Sequence, residues 1–214
     1  FASRMFTGMM GMGGGGGRGG GRGRGSAAGA GLAQGDPFDV MTIRVDRQDD
    51  RRGNRPFTLP ATLSAYGEAW QPPAGVPTRL VKIDWMHMQF FLDGREFEMA
   101  GVAPAETVPR GSTHIWEFDN SGPAMMNMRL GHPMHLHGRQ FRVLKRTIEP
   151  AREADWRTLK DGFVDEGWKD TTLVLPGERV QLLVRFSQYP GLYLYHCHNL
   201  EHEDMGMMRN FRIV

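Results

Sequence analysis

Short stretches in which hydrophobic and polar residues alternate recur along most of the chain, and this period of two is typical of half-buried β-strands. Turn-forming pairs such as Asp-Gly and Pro-Gly separate these stretches. Strands are therefore predicted at 38–45, 78–85, 88–99 (with a turn at Asp93-Gly94), 112–120, 139–147, 171–176, 179–187, 191–197 and 209–214. The sequence contains no long helical period and no repeat of solenoid length. The pattern predicts an all-β sandwich or barrel.

The first 35 residues differ in composition from the rest. Residues 8–35 are dominated by glycine, which supplies no core and loses more backbone entropy on ordering than other residues. A flexible linker or loop is therefore predicted for 1–35, followed by a single domain over 36–214. Two functional interpretations stay open for this segment. Its Arg-Gly run is similar to RNA-binding tails, and Cu(I) could be gathered by the soft sulfur atoms of Met5, Met9, Met10 and Met12.

Composition narrows the class of protein. With 214 residues, 40% of them hydrophobic, the chain has enough material for one sizeable core. The net charge is only +2, and no basic face interleaved with aromatic residues is present, so no nucleic-acid partner is predicted. No apolar run approaches the roughly 20 residues that cross a bilayer. The chain opens with "FASRMF" and no initiator methionine, so we expect a fragment or a processed chain.

Histidines and the single cysteine are concentrated in two short motifs, "GHPMHLHG" at 131–138 and "HCHNLEHEDMGMM" at 196–208. Successive residues of a strand point to opposite faces. Parity therefore separates Cys197 from its two histidine neighbours, which share a face. In the first motif the two histidines of "HLH" share a face, whereas the earlier histidine has the other parity and precedes Pro133, which is expected to break the strand.

The two groups that result have different coordination chemistry. One group consists of His132 and Cys197, to which the following loop adds His202 and Met207. Two imidazoles, a thiolate and a weak thioether form a blue-copper electron-transfer site, whereas zinc usually has more thiolates or a fourth strong ligand. The other group, without a thiolate, suits copper or zinc in a more open site and consists of His135, His137, His196 and His198. Because Cys197 is covalently joined to both of its neighbours, a short through-bond route connects the groups.

Less specific interpretations explain fewer of these residues. Isolated histidines are usually structural or exposed, which is the prediction for His87 and His114. Cys197 with a histidine base would be a reactive thiol, but that assignment leaves four histidines unexplained. A chance clustering of these residues would not explain why strand parity separates the thiolate group from the group of four histidines.

At these two motifs the sequence resembles the C-terminal cupredoxin domain of a multicopper oxidase, and it looks closest to the bacterial laccase, cuprous oxidase and bilirubin oxidase-like group. The segments "STHIWEFDN" and "KDTTLVLPGERVQLLVRF" also resemble strands of that domain. The resemblance covers about residues 36–214. It implies a cupredoxin-like Greek-key β-sandwich or barrel that binds copper.

The resemblance also implies a role for each candidate residue. The ligands of type 1 blue copper are matched by His132, Cys197 and His202, with Met207 as axial ligand. A ligand of type 2 copper is matched by His135, and ligands of the type 3 pair are matched by His137, His196 and His198. Glu203 matches the acidic residue that delivers protons during oxygen reduction. The imidazole of His202 is expected to be exposed and to receive electrons from the substrate.

One departure from the family pattern is large. The family completes its trinuclear copper cluster with two further His-x-His pairs from an N-terminal cupredoxin domain, and no other His-x-His occurs in this chain. The resemblance therefore implies part of a laccase-like, copper-dependent oxidoreductase that needs the missing domain as partner. Such an enzyme takes single electrons from a small reducing substrate, phenolic or a metal ion, and reduces O2 to water. By the same resemblance we expect a periplasmic or secreted location.

Two other functions stay open. A blue-copper electron-transfer module without oxygen chemistry predicts one copper per chain and no oxidase activity even with a partner. A copper nitrite reductase also pairs blue copper with a histidine site across subunits. The combination of HPxHxHG with HCH favours the oxidase, because each motif supplies two of the histidines that a three-copper cluster needs. Phenols, bilirubin, Cu(I) and Mn(II) all remain candidate substrates, and the methionine-rich start favours Cu(I).

Overall fold

The structure, a computed structural model, describes residues 39, 41–44, 58–62, 71–86, 89–121, 129–186 and 189–214. The chain divides into two compact units, Phe1–Ala69 and Trp70–Val214. In the first unit the described residues carry no helix or strand, and these include Asp39 and 41–44 of the predicted strand at 38–45. The remainder of that strand, the segment 1–35 and His87 lie outside the described residues.

The second unit contains two five-stranded sheets. The first sheet has the order β2-β1-β4-β8-β6 and the second the order β3-β10-β9-β5-β7. The strands are β1 (Thr78–Met86), β2 (Gln89–Leu92), β3 (Thr107–Val108), β4 (Thr113–Asp119), β5 (His132–Leu136), β6 (Phe141–Ile148), β7 (Thr171–Val174), β8 (Glu178–Arg185), β9 (Gly191–Cys197) and β10 (Met208–Ile213). The pairs β1–β4 and β3–β10 are parallel, and the other neighbours are antiparallel.

Helical structure in the described residues is short. The α-helices are α1 (Glu153–Arg157) and α2 (Leu200–Asp204), and 3-10 turns occupy Pro104–Glu106, Pro150–Arg152 and Lys160–Gly162. In the part of the chain that the structure describes, no helix has the length and apolar character needed to span a bilayer.

The hydrophobic core lies between the two sheets. From β4 to β9 each successive strand belongs to the opposite sheet, so inward-facing residues of both sheets meet. Trp116 and Leu182 of the first sheet and Met134, Tyr195 and Phe211 of the second are completely buried in one cluster. Removing these side chains from water supplies the main driving force for the packing of the sheets. The predicted all-β class is therefore confirmed.

The predicted strand at 88–99 is only half correct. The turn at Asp93-Gly94 is present, with φ angles of 57° and 64°, as expected of the Asp-Gly pair in a tight hairpin turn. Beyond the turn a single bridge joins Leu92 and Arg95, and no strand follows. The chain leaves the sheet there because its carbonyl groups bond to side chains instead: Arg209 donates to the carbonyl of Glu96 (2.7 Å).

The prediction that Pro133 breaks its strand was wrong. Strand β5 runs through this residue, which pairs with Leu173 of β7. Proline lacks only the N–H donor, and the carbonyl group of Pro133 still accepts a hydrogen bond from the N–H of His198 (2.7 Å). Burial alternates along β5, so His132 faces the core by strand alternation alone.

A buried ionic network lies beside the core and joins β9 and β10 to the 3-10 turn at Pro104–Glu106. Arg209 donates two hydrogen bonds to the Glu106 carboxylate, at 2.9 and 2.8 Å, and both residues are at most 1% exposed. The hydroxyl of Tyr195 donates to the same carboxylate (3.0 Å) and accepts from Arg79 (2.9 Å). Burial alone would raise the pKa of Glu106, but the hydrogen bonds from Arg209, the backbone of Ala103 and Tyr195 outweigh it, and the pKa is lowered.

We expect Glu106→Gln to lower the free energy of unfolding by about 3–5 kcal/mol, because it leaves the Arg209 guanidinium buried without a charge partner. Urea denaturation followed by tryptophan fluorescence measures the loss. The matched control is Glu153→Gln, which removes a carboxylate from the exposed pair with Arg157 and should cost at most about 1 kcal/mol. Equal losses in the two variants would contradict a stabilising role for the buried pair.

Candidate metal centres

The end of strand β9 presents successive residues to opposite sides of the second sheet. Cys197 points into the core and is completely buried, while His196 and His198 point to the outer face. Strand β5 lies alongside, with Met134 opposite Cys197 and His135 opposite His196. Because of this register, the inward-facing residues of the two histidine motifs lie next to one another, and so do the outward-facing residues.

The inward-facing candidate ligands form a compact buried triad of His132, Cys197 and His202. The Cys197 Sγ atom lies 3.5 Å from His132 Nδ1 and 3.4 Å from His202 Nδ1, and the two Nδ1 atoms are 3.2 Å apart. Ligands that bind one transition-metal ion at about 2.0–2.3 Å are separated by about 3–4 Å. The three atoms therefore fit a single metal ion, and two imidazoles with one thiolate are the donors of a blue-copper site.

Short loops hold the triad together. After β9 the helix α2 begins at Leu200, and the side chain of Asn199 donates to the carbonyl of Gly131 (3.1 Å), tying this loop to the start of β5. The chain then returns: the N–H of Met207 donates to the carbonyl of His202 (2.9 Å), and the N–H of Cys197 donates to the carbonyl of Met207 (3.1 Å). Met207 is completely buried beside the triad, and its role as an axial ligand stays a prediction.

Burial also sets the protonation of the triad. It lowers the pKa of His132 to about 3, with a further contribution from the nearby charge of His202, and it lowers the pKa of His202 as well. Both imidazoles are therefore neutral at pH 7 and retain the lone pair that binds a metal. Burial raises the pKa of the Cys197 thiol to about 11, so a metal ion that binds there must displace a proton.

The prediction that the His202 imidazole is exposed was wrong. His202 is 6% exposed and His132 is 3% exposed. The phenyl ring of Phe90, on the short strand β2, lies over His202 with a centroid separation of 4.0 Å and meets His132 edge-on at 6.0 Å. The aromatic ring, and not solvent, is the neighbour of both imidazoles on this side.

The outward-facing histidines also come together, as parity predicts. One nitrogen each from His135, His137 and His196 lies within 4.8 Å of the others, and His137 Nε2 is 3.0 Å from His196 Nε2. The ring of His198 lies 5.5 Å from that of His135 and 5.2 Å from that of His196. Because His137 and His198 are exposed, the cluster opens to the surface of this unit, in contrast to the buried triad.

Hydrogen bonds orient two of the outer imidazoles. His135 Nδ1 lies 2.8 Å from the carbonyl oxygen of Asp170 and 2.9 Å from Thr171 Oγ1. A carbonyl oxygen only accepts, so Nδ1 carries the proton and Nε2 is free to bind a metal. His196 Nδ1 is directed in the same way toward the Cys197 carbonyl (3.1 Å) and the Glu203 carboxylate (3.4 Å). Burial lowers the pKa of His135 further toward the neutral form.

The sequence pattern does not reveal the residues that cover or orient the histidines of the two groups. Phe90 lies in an apolar stretch and looks like an ordinary core residue. Asp170 and Thr171 carry no pattern that distinguishes them from other residues of "KDTT". His114 is a half-buried residue of β4 that packs edge-on against Phe186 (5.4 Å), in agreement with its predicted structural role.

Comparison with known proteins identifies the family. The profile of the multicopper oxidase family matches residues 72–214, and this chain belongs to that family. It is 43% identical over 121 residues to a laccase of Haloferax volcanii, covering 56% of this chain and 18% of that protein. It is 38% identical over 117 residues to a laccase of Bacillus subtilis, covering 51% of this chain and 22% of the relative.

Solved structures agree with the fold. The crystal structure of a laccase from Pediococcus acidilactici superposes with a TM-score of 0.57 at 32% identity, covering 75% of this chain and 31% of that one. McoA multicopper oxidase from Aquifex aeolicus gives a TM-score of 0.52 at 32% identity, covering 68% and 31%. The cupredoxin-like fold class is therefore confirmed. The chain spans less than a third of the length of each of these four relatives.

Proposed function

We propose that this chain is the C-terminal cupredoxin domain of a laccase-like multicopper oxidase, a copper-dependent enzyme that oxidises a small reducing substrate one electron at a time and reduces O2 to water. One observation carries the proposal. Cys197, in the buried triad, is bonded through the backbone directly to His196 and His198, which belong to the outer cluster. A covalent path of one residue is suited to passing single electrons from one metal site to the other.

In this proposal the buried triad is the type 1 site and is complete within the chain, with Met207 as the weak axial ligand. Copper bound there supplies one-electron redox chemistry, and copper in the outer cluster supplies the site of O2 reduction. The protein contributes neutral imidazoles, a thiolate and a surrounding from which water is excluded, since Cys197 and Met207 are completely buried. Such an apolar surrounding is one of the factors that tune a copper potential.

The outer cluster is proposed to be half of a trinuclear copper site. By position His135 is a ligand of type 2 copper, and the type 3 ligands are His137, His196 and His198. The remaining ligands would come from an N-terminal cupredoxin domain, on the same polypeptide or on another chain, that packs on the exposed side of this cluster. The exposure of His137 and His198 supports such an interface.

Glu203 is proposed to deliver protons during O2 reduction. Its carboxylate lies 3.4 Å from His196 Nδ1 and is about a third exposed, so it contacts both the outer cluster and solvent. A carboxylate that can exchange protons with water and reach an imidazole of the outer cluster is suited to this task.

Two further proposals rest on the family resemblance. The enzyme is periplasmic or secreted, and the domain begins near residue 36, with 1–35 forming a linker or loop between cupredoxin domains. The family profile matches from residue 72 onward, which lies within the proposed domain 36–214.

One rival function has a specific observation in its favour. An electron-transfer module without oxygen chemistry needs only the buried triad, and the outer cluster of this chain has four histidines where the family uses about twice that number. The rival and the oxidase differ in whether a partner domain restores oxygen consumption.

Cys197→Ser should abolish the intense visible absorption of the copper-loaded chain, because that absorption needs a thiolate-to-copper transition. Absorbance spectroscopy after copper reconstitution measures it, and circular dichroism confirms folding. His114→Gln changes a histidine outside both metal centres and should leave the colour intact. A blue Cys197→Ser protein would exclude Cys197 as the type 1 ligand.

Met207→Leu should retain the blue colour and raise the reduction potential, because loss of the weak axial thioether removes electron donation that favours Cu(II). Potentiometric titration of the visible band measures the shift. An unchanged potential would leave Met207 as a packing residue only.

The copper-loaded chain alone should show type 1 absorption but negligible oxygen uptake with a phenolic donor, because its outer cluster lacks half of the family's ligands. An oxygen electrode measures this, and addition of the partner domain should restore turnover. Restored turnover supports the oxidase, whereas absence of turnover with the partner bound supports the electron-transfer module. Four-electron turnover by a verified monomer would contradict the half-cluster assignment.

A further inference from the structure

A cleft of about 690 Å³ adjoins the outer cluster of histidines and shares His135 with it. The rest of its wall comes mainly from the loop between β5 and β6, the segment that leads into β7 and the end of β8. The polar and aromatic side chains of this wall are those of Arg139, Gln140, Trp168, Asp170 and Arg185. We call this feature the arginine cleft.

Both arginines of the arginine cleft lack a charge partner among the described residues. Neither Arg139 nor Arg185 forms an ion pair with a carboxylate in the part of the chain that the structure describes. The Nε atom of Arg139 is also buried without a hydrogen-bond partner there. Asp170 lines the same cleft, but its carboxylate pairs with neither arginine. The cleft therefore has a net positive charge and unused hydrogen-bond donors.

The arginine cleft lies at the edge of a surface that this chain leaves open. The imidazole of His137 in the outer cluster is exposed, and two leucines on the same face of the sheet are exposed as well, Leu173 of β7 by 38% and Leu192 of β9 by 43%. Strand alternation places both leucines on the face of the outer cluster. Because His135 belongs to both features, a domain that covers the outer cluster also reaches the arginine cleft.

A guanidinium group that a partner covers needs a carboxylate. Removing an arginine side chain from water without a charge partner is costly, and the parallel N–H donors of a guanidinium match the two oxygen atoms of a carboxylate. The indole of Trp168, which is 50% exposed at the same cleft, adds apolar area that docking removes from water. Tryptophan and arginine are also enriched among the residues that dominate the binding energy of protein interfaces. Acidic side chains of a partner fit this combination, whereas basic side chains would be repelled.

We propose that the arginine cleft is a docking site for acidic side chains of the partner domain, whose carboxylates pair with Arg139 and Arg185. The identity of the partner as an N-terminal cupredoxin domain rests on the proposed function. The preference for carboxylates is a property of the copper-free chain and can be measured without the partner.

A first test measures this preference on the full copper-free chain. The probes are glutarate, which carries two carboxylates, and glutaramide, its neutral diamide, and NMR shifts of the arginine Nε–H groups report binding. We expect glutarate to bind at least about fivefold more tightly than the diamide, because only glutarate offers negative charge to the two arginines. Equal affinity for the two probes would overturn the proposal.

Removal of charge tests the location of the effect. Arg139→Gln and Arg185→Gln should each weaken glutarate binding by about threefold or more, and the double variant should bind glutarate no better than the diamide. The matched control is Arg95→Gln/Arg110→Gln, which removes the same charge from two exposed arginines that do not line the cleft. It should bind glutarate as the unmodified chain does. An equal loss in the two double variants would indicate a general effect of charge and contradict the docking site.

A second test adds the N-terminal domain as a separate copper-free chain, with calorimetry at a series of salt concentrations. Affinity should fall as salt rises, and at low salt the Arg139→Gln/Arg185→Gln variant should bind at least about tenfold more weakly, with a shallower salt dependence. Circular dichroism checks that each variant is folded. Saturation with the domain should also abolish the NMR response to glutarate, because the carboxylates of the domain occupy the cleft.

The outcomes separate the docking site from the oxidase function. A domain that associates and restores oxygen uptake, but does so without dependence on the two arginines, would overturn the docking site and support the oxidase. Arginine-dependent association without oxygen uptake would support the docking site and contradict the oxidase. A response to glutarate that persists when the chain is saturated with the domain would make the cleft a site for small anions, and this result or a lack of association would overturn the docking site.

Discussion

The alternation of side chains along one strand is the constraint on which both candidate metal centres depend. In β9 the step from His196 to Cys197 moves from the outer face of the sheet to the core, and the next step to His198 moves back. A shift of one residue in the register with β5 would exchange the faces of the two histidine motifs and destroy both sites. The pairing of β5 with β9 therefore positions the ligands as well as stabilising the sheet.

The buried network behind β9 supports that register. Tyr195 shares the inward face with Cys197 and is fixed by Glu106, which also holds Arg209 of the neighbouring strand. Directional hydrogen bonds of this kind have few alternative arrangements, whereas apolar contacts alone tolerate small slips. The same network also holds the segment after β2, because Arg209 donates a hydrogen bond to the carbonyl group of Glu96.

The sequence predicts the strands and the grouping of the candidate ligands well because both follow from local alternation, which β1 and β5 display clearly. It fails where a partner distant in the chain decides the outcome. Pro133 is tolerated in β5 because its carbonyl finds a donor at His198, and His202 is buried because Phe90 arrives from another strand. The tautomer of His135 likewise depends on Asp170, whose contact is created only by folding.

The enclosure of the triad also governs how fast a metal ion can come and go. Its thiol is the chain's single cysteine and is completely buried, so in the metal-free protein it is shielded from oxidants and from pairing with another chain. Because Phe90 covers the imidazoles, uptake and loss both require a local opening of the protein. For an ion held by the triad, the residence time would therefore depend on the frequency of that opening as well as on the strength of the metal–ligand bonds.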